Sequence, residues 1–284
     1  MQRVLVIGAS GTTGSRIVQR LHRSVKVRAA SRNGGRQLHE NTEWARFDWN
    51  DPSTYIPVMS DVDAAYLIPP SGVADPARML IDWCEKATAA GVRRVVLHGA
   101  QSIGPEDGGL GAAYRALPTS VAEWAILRPS WFMQNFLGDH PQARSIRLGD
   151  IVRTGTGDGR VGFVDADDIA AVAVRALLDE PLQREVVITG PESLAYEDIA
   201  DVLSRVLGRP IAHDRVSENV MIEQVFGDLP REMAEMLAHM DTRIARGEWD
   251  CITGEVEAVT GRPPRSFESF AEAHREQLLS PVSA

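Results

Sequence analysis

Close to the start of the 284-residue chain, the apolar run Val4-Leu5-Val6-Ile7 leads directly into Gly8-Ala9-Ser10-Gly11-Thr12-Thr13-Gly14. Three glycines at this spacing, between a strand-like run and a helix-like one, suit the binding of a dinucleotide. A pyrophosphate at a helix N-terminus is held by backbone N–H groups and the helix dipole, and it needs bare backbone to approach closely. Side chains at Gly8 and Gly11 would obstruct that approach. Gly14 lets helix and strand pack together, and Ser10, Thr12 and Thr13 add hydroxyl donors. A plain glycine-rich turn is the competing reading. The order of strand, turn and amphipathic helix favours binding.

The next strand-like run ends Arg28-Ala29-Ala30-Ser31-Arg32-Asn33-Gly34, with no acid before Glu40. A site for NAD places a carboxylate here to accept hydrogen bonds from the ribose 2′-hydroxyl. A carboxylate would repel a 2′-phosphate, whereas Arg32, with Ser31 beside it, would pair with one. NADP(H) is therefore the expected cofactor. Asp48, in Phe47-Asp48-Trp49, suits either the adenine or a helix cap. Ile68 and Pro69, where a later run ends, complete the expected cofactor set.

Other polar groups stand where chemistry is possible. His98 closes an apolar run, a position at which open α/β sheets take ligands, although a lone strand histidine is often a core residue. Ser102 follows it and suits either a turn or a substrate carbonyl. Tyr114 reads as a proton donor or as a packing residue. Trp131, Phe132 and Phe136, with Asn135, suit an aromatic wall for substrate with one polar handle, or plain core packing. Cys84 and Cys251 are far apart and have no metal or redox spacing, so no metal site is expected.

These groups need a scaffold, and the pattern supplies one. Strand-like runs at 4–7, 25–30, 44–47, 64–68, 94–98 and 124–127 alternate with helix-like segments at 12–22 and 76–90. Such alternation implies right-handed βαβ units, and hence a Rossmann-type, doubly wound parallel sheet. Residues 1–150 read as this domain, with 160–190 returning to it, and 191–284 as a smaller, mostly helical substrate subdomain of mixed structure. A helical pattern over 217–246 places Met233, Met236, Leu237, Met240 and Ile244 on one face.

Composition limits the function further. Thirty Lys+Arg against 39 Asp+Glu leave a net charge of −9, which argues against a nucleic-acid surface. No apolar stretch approaches the roughly 20 residues that span a bilayer, and no signal peptide fits the N-terminus. The expectation is a cytoplasmic protein whose partner is a small-molecule substrate.

Several stretches resemble the NmrA-like family of NAD(P)-binding proteins, atypical short-chain dehydrogenases/reductases. They are Gly8-x-x-Gly11-x-x-Gly14, Asp63-Ala64-Ala65-Tyr66-Leu67-Ile68-Pro69-Pro70 and Gly91-Val92-Arg93-Arg94-Val95-Val96-Leu97. Trp124 to Asn135, Phe163-Val164-Asp165-Ala166-Asp167-Asp168-Ile169-Ala170 and Thr189-Gly190-Pro191-Glu192 add to them. Gly261-Arg262-Pro263-Pro264-Arg265-Ser266-Phe267 is similar to the branch of ergot-alkaloid (festuclavine and agroclavine) dehydrogenases. The resemblance implies a Rossmann domain with a smaller C-terminal substrate domain. It also implies NADPH-dependent reduction of iminium, quinone, dye or phenolic substrates, or a catalytically silent redox sensor.

The chain departs from ordinary short-chain dehydrogenases at one point. Those use a tyrosine with a lysine four residues later. This chain has two lysines, Lys26 and Lys86, and neither follows a tyrosine at that spacing; Tyr114 is followed by Pro118. Strand five exits as His98-Gly99-Ala100-Gln101-Ser102, without the serine pair that many relatives have nearer the strand end. A cationic iminium or a polarised enone accepts hydride without a dedicated proton donor, whereas a simple ketone needs acid help. The expected function is thus an NADPH-dependent reductase of a small aromatic or polycyclic, secondary-metabolite-like substrate, acting without a Ser-Tyr-Lys triad. A non-catalytic NADP-binding regulator and an isomerase or dehydratase are the alternatives.

Overall fold

Strand β1 (Arg3–Ile7) is buried on both faces, and its unbroken apolar run is the sequence expected of such a strand. Leu5 and Ile7 point into one core layer, while Val4 and Val6 point to the other face of the sheet. In the computed structural model, which describes residues 2–34, 39–70, 72–73 and 75–280, β1 is the centre of a seven-stranded sheet. Its parallel neighbours are β2 (Lys26–Ser31) and β4 (Ala64–Leu67). Outward from these lie β3 (Thr42–Arg46) on one side, and on the other β5 (Arg94–His98), β6 (Glu123–Pro129) and a seventh strand, Arg184–Ile188. Every pairing in the sheet is parallel. The strand order reverses between β1 and β4, and that reversal opens a crevice at their carboxyl ends.

Helix α1 (Thr12–Leu21) and the helix Ala166–Leu178 pack together on one side of the sheet. The helices Ala77–Ala89 and Leu110–Ser120 cover the other side, where Trp83 is fully buried. Arg94 fastens the end of Ala166–Leu178, donating to the carbonyls of Ala176, Leu177 and Asp179 at 3.2, 3.0 and 2.6 Å.

Contacts divide the chain into two compact units. The sheet unit comprises Met1–Pro129, Ala166–Ile188 and Glu255–Arg262; the second comprises Ser130–Asp165, Thr189–Gly254 and Pro263–Ala284. The boundary expected at residue 150 therefore falls at Pro129. The reason is local: Ser130–Asp165 builds its own small strands and packs on its own core. Ile151–Thr154 pairs in parallel with Ala212–Arg215, Arg160–Val161 pairs antiparallel with Leu194–Ala195, and Phe132 bridges to Val164.

The second unit's core is an aromatic cluster. Phe136 meets Phe267 edge-on at 5.0 Å and Phe163 at 5.8 Å, and Phe163 meets Tyr196 at 5.3 Å. The face that carries the methionines is not the one the helix buries. In the helix Arg231–Ala245 the buried positions are Ala234, Ala238, Asp241 and Ile244, and Met236 is 55% exposed. Small residues let this helix approach closely, which turns the methionines to its flank. The helical pattern over 217–246 is also interrupted, by a break between Val225 and Arg231 that contains Pro230.

Phe267 is 1% exposed at the centre of this cluster. Phe267→Ala should destabilise the protein by about 3–5 kcal/mol, the usual cost of emptying a buried aromatic site. Urea denaturation followed by circular dichroism measures this; a loss below about 1 kcal/mol would show that the cluster collapses around the gap.

Candidate active site

The glycine turn lies at the β1–α1 junction. Gly8 has φ +77°, a left-handed conformation that favours glycine, and a β-carbon there would lie 2.8 Å from Ile68 Cδ1. The reason for glycine at position 8 is thus the shape of the turn. At position 14 it is close packing: a β-carbon would lie 2.2 Å from the Gly8 carbonyl oxygen. Gly11 differs from both. It is exposed, its β-carbon would meet only the Gly8 oxygen at 3.3 Å, and it N-caps α1 without any side chain over the first-turn amides. The fold itself has room for a small side chain at Gly11. Bare backbone there suits a ligand, as the sequence pattern implies.

The turn is tied to β2, because the Ala30 carbonyl accepts from both Gly8 and Ala9 N–H, at 3.0 and 3.1 Å. This bond pair sets the cradle beside Ser31 and Arg32. Ser31 is buried and donates to the Gly34 carbonyl at 3.0 Å. Arg32 is exposed on the wall of a cleft of about 310 Å³ that also takes in Gly8, Ser10, Gly11, Asp48 and Ile68. Among the described residues Arg32 has no ion-pair partner. Pro69 lines the same cleft, while Thr12 is exposed and Thr13 buried at the head of α1.

Asp48 spends one carboxylate oxygen on the Asn50 amide at 3.0 Å, and the cap of the following turn is Asp51, which accepts from Ser53 N–H. Trp49 and Asn50 line the cleft as well and were missed from sequence. Trp49 is fixed by an indole N–H bond to the Ile68 carbonyl at 3.1 Å, so its ring stands across the β4 exit. The signal was present in Phe47-Asp48-Trp49, where only the acid invited a chemical reading. A larger cleft, about 540 Å³, opens at the amino ends of the strands around Asp63, Arg93, Arg94 and Glu123. Its arginines are paired with Glu123, and ligands of open α/β sheets bind at the opposite edge.

The candidate catalytic groups lie around the β5 exit. Tyr114 is 1% exposed, and its hydroxyl accepts from the Ala100 N–H at 3.0 Å. Burial pushes this phenol up to about 12. A β-carbon at Gly99 would lie 2.1 Å from the same oxygen, so glycine there makes room for Tyr114. In this setting Tyr114 secures the strand exit. Ser102 sits half-buried in the turn that follows. His98 is at the end of β5, its Nδ1 2.6 Å from the hydroxyl of Tyr66, and burial lowers its pKa to about 4.

In the second unit, Trp131 and Phe132 are half-buried, as is Asn135, and Trp131 packs on Trp249 with centroids 4.9 Å apart. Phe136 is 1% exposed inside the aromatic cluster, so it serves the core and not a substrate wall. Sequence reasoning also missed Asp165, which is fully buried and accepts from Gln134 Nε2 and Arg265 Nη1, both at 2.8 Å. Among the described residues, no group of three His, Cys, Asp or Glu could hold a metal ion, and no helix is long and apolar enough to cross a membrane.

Comparison with known proteins agrees with this geometry. Residues 8–180 match the model of a family described as NAD(P)H-binding. The chain is 38% identical to the uncharacterized oxidoreductase YesF of Bacillus subtilis over 95% of this chain and 94% of that protein. It is 33% identical to festuclavine dehydrogenase of Aspergillus fumigatus, over 97% of this chain and 99% of the relative. Its fold is similar to that of the Citrobacter triphenylmethane reductase solved with NADP(H), with TM-score 0.80 and 20% identity over 95% of this chain and 99% of that one. The chain belongs to the NAD(P)H-binding family. It is an NAD(P)H-dependent oxidoreductase.

The two glycines should separate in experiment. Gly11→Val should leave the protein folded but abolish NADPH binding, because its side chain enters the ligand's path and not the core. Gly14→Ala should lower stability by about 1–3 kcal/mol through overpacking against the Gly8 carbonyl. Calorimetry and thermal melts read the two effects. Unchanged NADPH affinity in folded Gly11→Val would move the cofactor away from this turn.

Proposed function

We propose that this protein is an NADPH-dependent reductase of a small aromatic or polycyclic, secondary-metabolite-like substrate, acting on activated C=N or C=C bonds without a Ser-Tyr-Lys triad. The observation that carries this reading is the state of the tyrosines. All four are buried: Tyr55, Tyr66, Tyr114 and Tyr196 are 2, 0, 1 and 6% exposed. No lysine lies four residues after any of them, and Lys86 is engaged with Asp82. A phenol raised by burial is a poor acid, so substrates that need strong protonation as hydride arrives are disfavoured.

NADPH, when bound, supplies the hydride. The chain's own part is to hold and orient. Gly8, Gly11 and Gly14 keep the backbone bare at the head of α1, and Arg32 offers its guanidinium to a 2′-phosphate. Trp131 and Phe132, with Asn135 as a polar handle, offer an aromatic surface to a flat substrate. The agroclavine and festuclavine dehydrogenases among its relatives support a polycyclic substrate of that kind.

Arg32→Ala should erode the preference for NADPH over NADH by about 1–3 kcal/mol, the range for losing a charged hydrogen bond. Titration with both cofactors tests this, and equal affinities in the unmodified protein would defeat the assignment. The chemical reading has its own test, kcat/KM on an iminium substrate at saturating NADPH. Tyr114→Phe should cost less than about tenfold, well short of the 10²–10⁴ expected for a true general acid. Trp131→Ala or Phe132→Ala should cost about a hundredfold, through substrate misplacement of about 1 Å. A collapse confined to Tyr114→Phe would make that residue the proton donor.

A further inference from the structure

Trp131 offers its ring to the substrate surface, and something must fix the angle of that ring. Its backbone is held, since the Trp131 carbonyl accepts from the Val164 N–H at 2.8 Å. That bond leaves the side-chain torsions open. Trp49 solves the same problem by donating its indole N–H to the Ile68 carbonyl. Among the described residues, neither the Trp131 nor the Trp249 indole makes such a bond. The only ring that Trp131 meets among them is Trp249, with centroids 4.9 Å apart and planes inclined by 38°. Its tilt therefore rests on Trp249.

Trp249 is 7% exposed and is held in turn. The helix Arg231–Ala245 runs out into Arg243-Ile244-Ala245-Arg246-Gly247-Glu248-Trp249. Gly247 has φ +74°, the left-handed conformation of a helix end. The Gly247 and Glu248 N–H groups bond the Ile244 and Arg243 carbonyls at 2.8 and 3.3 Å, so the chain turns back along the last helical turn. Trp249 thereby meets the Arg243 guanidinium, whose central carbon is 4.4 Å from the ring centroid. Glu248 accepts from Arg243 Nε at 2.6 Å. A guanidinium is planar and always charged, so a ring and a carboxylate together define its orientation.

Glu248, Arg243, Trp249 and Trp131 thus form a series in which each side chain sets the angle of the next. Stability is a poor reason for it. The Arg243 and Glu248 side chains are 36 and 34% exposed, and ion pairs this open contribute little to folding. What the series offers is a fixed direction for the half-buried ring at its end.

We propose that Trp249, clamped by Arg243 and Glu248, is a positioning residue that fixes the tilt of Trp131 and so selects extended flat substrates over small acceptors. This rests on the reductase reading and adds to it the residues that aim its aromatic surface. A flat polycycle laid on an indole takes its angle from that ring, and the rate of a transfer step falls steeply with misplacement. A small non-aromatic acceptor covers too little of the ring to be aimed by it.

The first readout needs no turnover. Two indoles this close couple in far-ultraviolet circular dichroism, and the couplet is the part of the spectrum lost in Trp131→Phe. Arg243→Met leaves both indoles in place, so a couplet that shrinks or changes sign reports a changed tilt. Kinetics at saturating NADPH supply the second readout. On a polycyclic iminium or enone, Arg243→Met should lower kcat/KM by about tenfold, part of the roughly hundredfold cost of misplacement by about 1 Å. On a small non-aromatic acceptor of the same class the loss should be far smaller. In a Trp131→Ala background Arg243→Met should have no further effect, as expected of residues that act through one contact. If Arg243→Met does not fold, Glu248→Gln loosens the same guanidinium and is read in the same way. An unchanged couplet, losses that add in the double variant, or equal losses on both substrates would overturn the proposal. A Trp131→Ala variant as active as the parent on polycyclic substrates overturns the positioning role and leaves NADPH-dependent reduction standing. NADPH oxidation with no iminium, enone or quinone overturns the reductase reading and this role with it, whatever the couplet.

Discussion

Close approach of the Gly14 α-carbon to the Gly8 carbonyl is the contact on which the cofactor site depends. A side chain at position 14 would collide with that oxygen at 2.2 Å, so α1 can start this near the sheet only if its first turn is bare. The left-handed Gly8 then carries the chain from strand to helix. Its amide and that of Ala9 both bind the Ala30 carbonyl, so the turn and the β2 exit are one hydrogen-bonded piece. Placement of Arg32, two residues past Ala30, follows from that bond pair. The glycine turn and the exit of β2 thus have a single mechanical origin.

The remaining polar chemistry of the sheet unit goes to structure. Tyr114 holds the Ala100 amide, Tyr55 donates to the Trp49 carbonyl at 2.8 Å, and the Tyr66 hydroxyl is paired with His98 Nδ1 at 2.6 Å. Arg128 bonds the Gln101 carbonyl at 3.1 Å and Glu185 at 2.7 Å, drawing the β5 exit against the outer strands. Such bonds contribute about 1 kcal/mol each, but removing one partner strands a buried group at greater cost. A strand exit built this way is rigid and short of acids.

Much of the sheet was legible because strands buried on both faces must be apolar without interruption, and β1 past Arg3 and β4 obey that rule. What escaped was local. Leu110–Ser120 opens in glycines and contains Pro118, and the pattern carries no stop or start signal strong enough to mark a helix. The same helix carries Tyr114, so its burial was invisible from sequence. Phe136 and the Met233–Met240 stripe could not be placed from sequence for a common reason. Periodicity marks an apolar face but not which neighbour covers it, and small Ala234 and Ala238 took the close contact. The glycine turn was legible because three positions are constrained within seven residues. Trp49 joined the cleft through one indole hydrogen bond, which no local pattern encodes.

The second unit shows how separated motifs acquire one physical meaning. Gln134, Asp165 and Arg265 belong to three different stretches that carry the family resemblance, and they meet at one carboxylate with no exposed surface. A buried carboxylate needs both its charge and its lone pairs answered; removing one partner of such a pair costs about 3–5 kcal/mol. Arg265 answers the charge and Gln134 adds a second donor. Gln134 lies in the turn Met133–Phe136, directly after Trp131 and Phe132, whose backbone is already paired with Val164. The half-buried aromatic surface is therefore held from two directions, by a strand-like bridge and by a buried charge. An aromatic surface fixed in this way keeps one shape, set by partners from separate stretches of the chain.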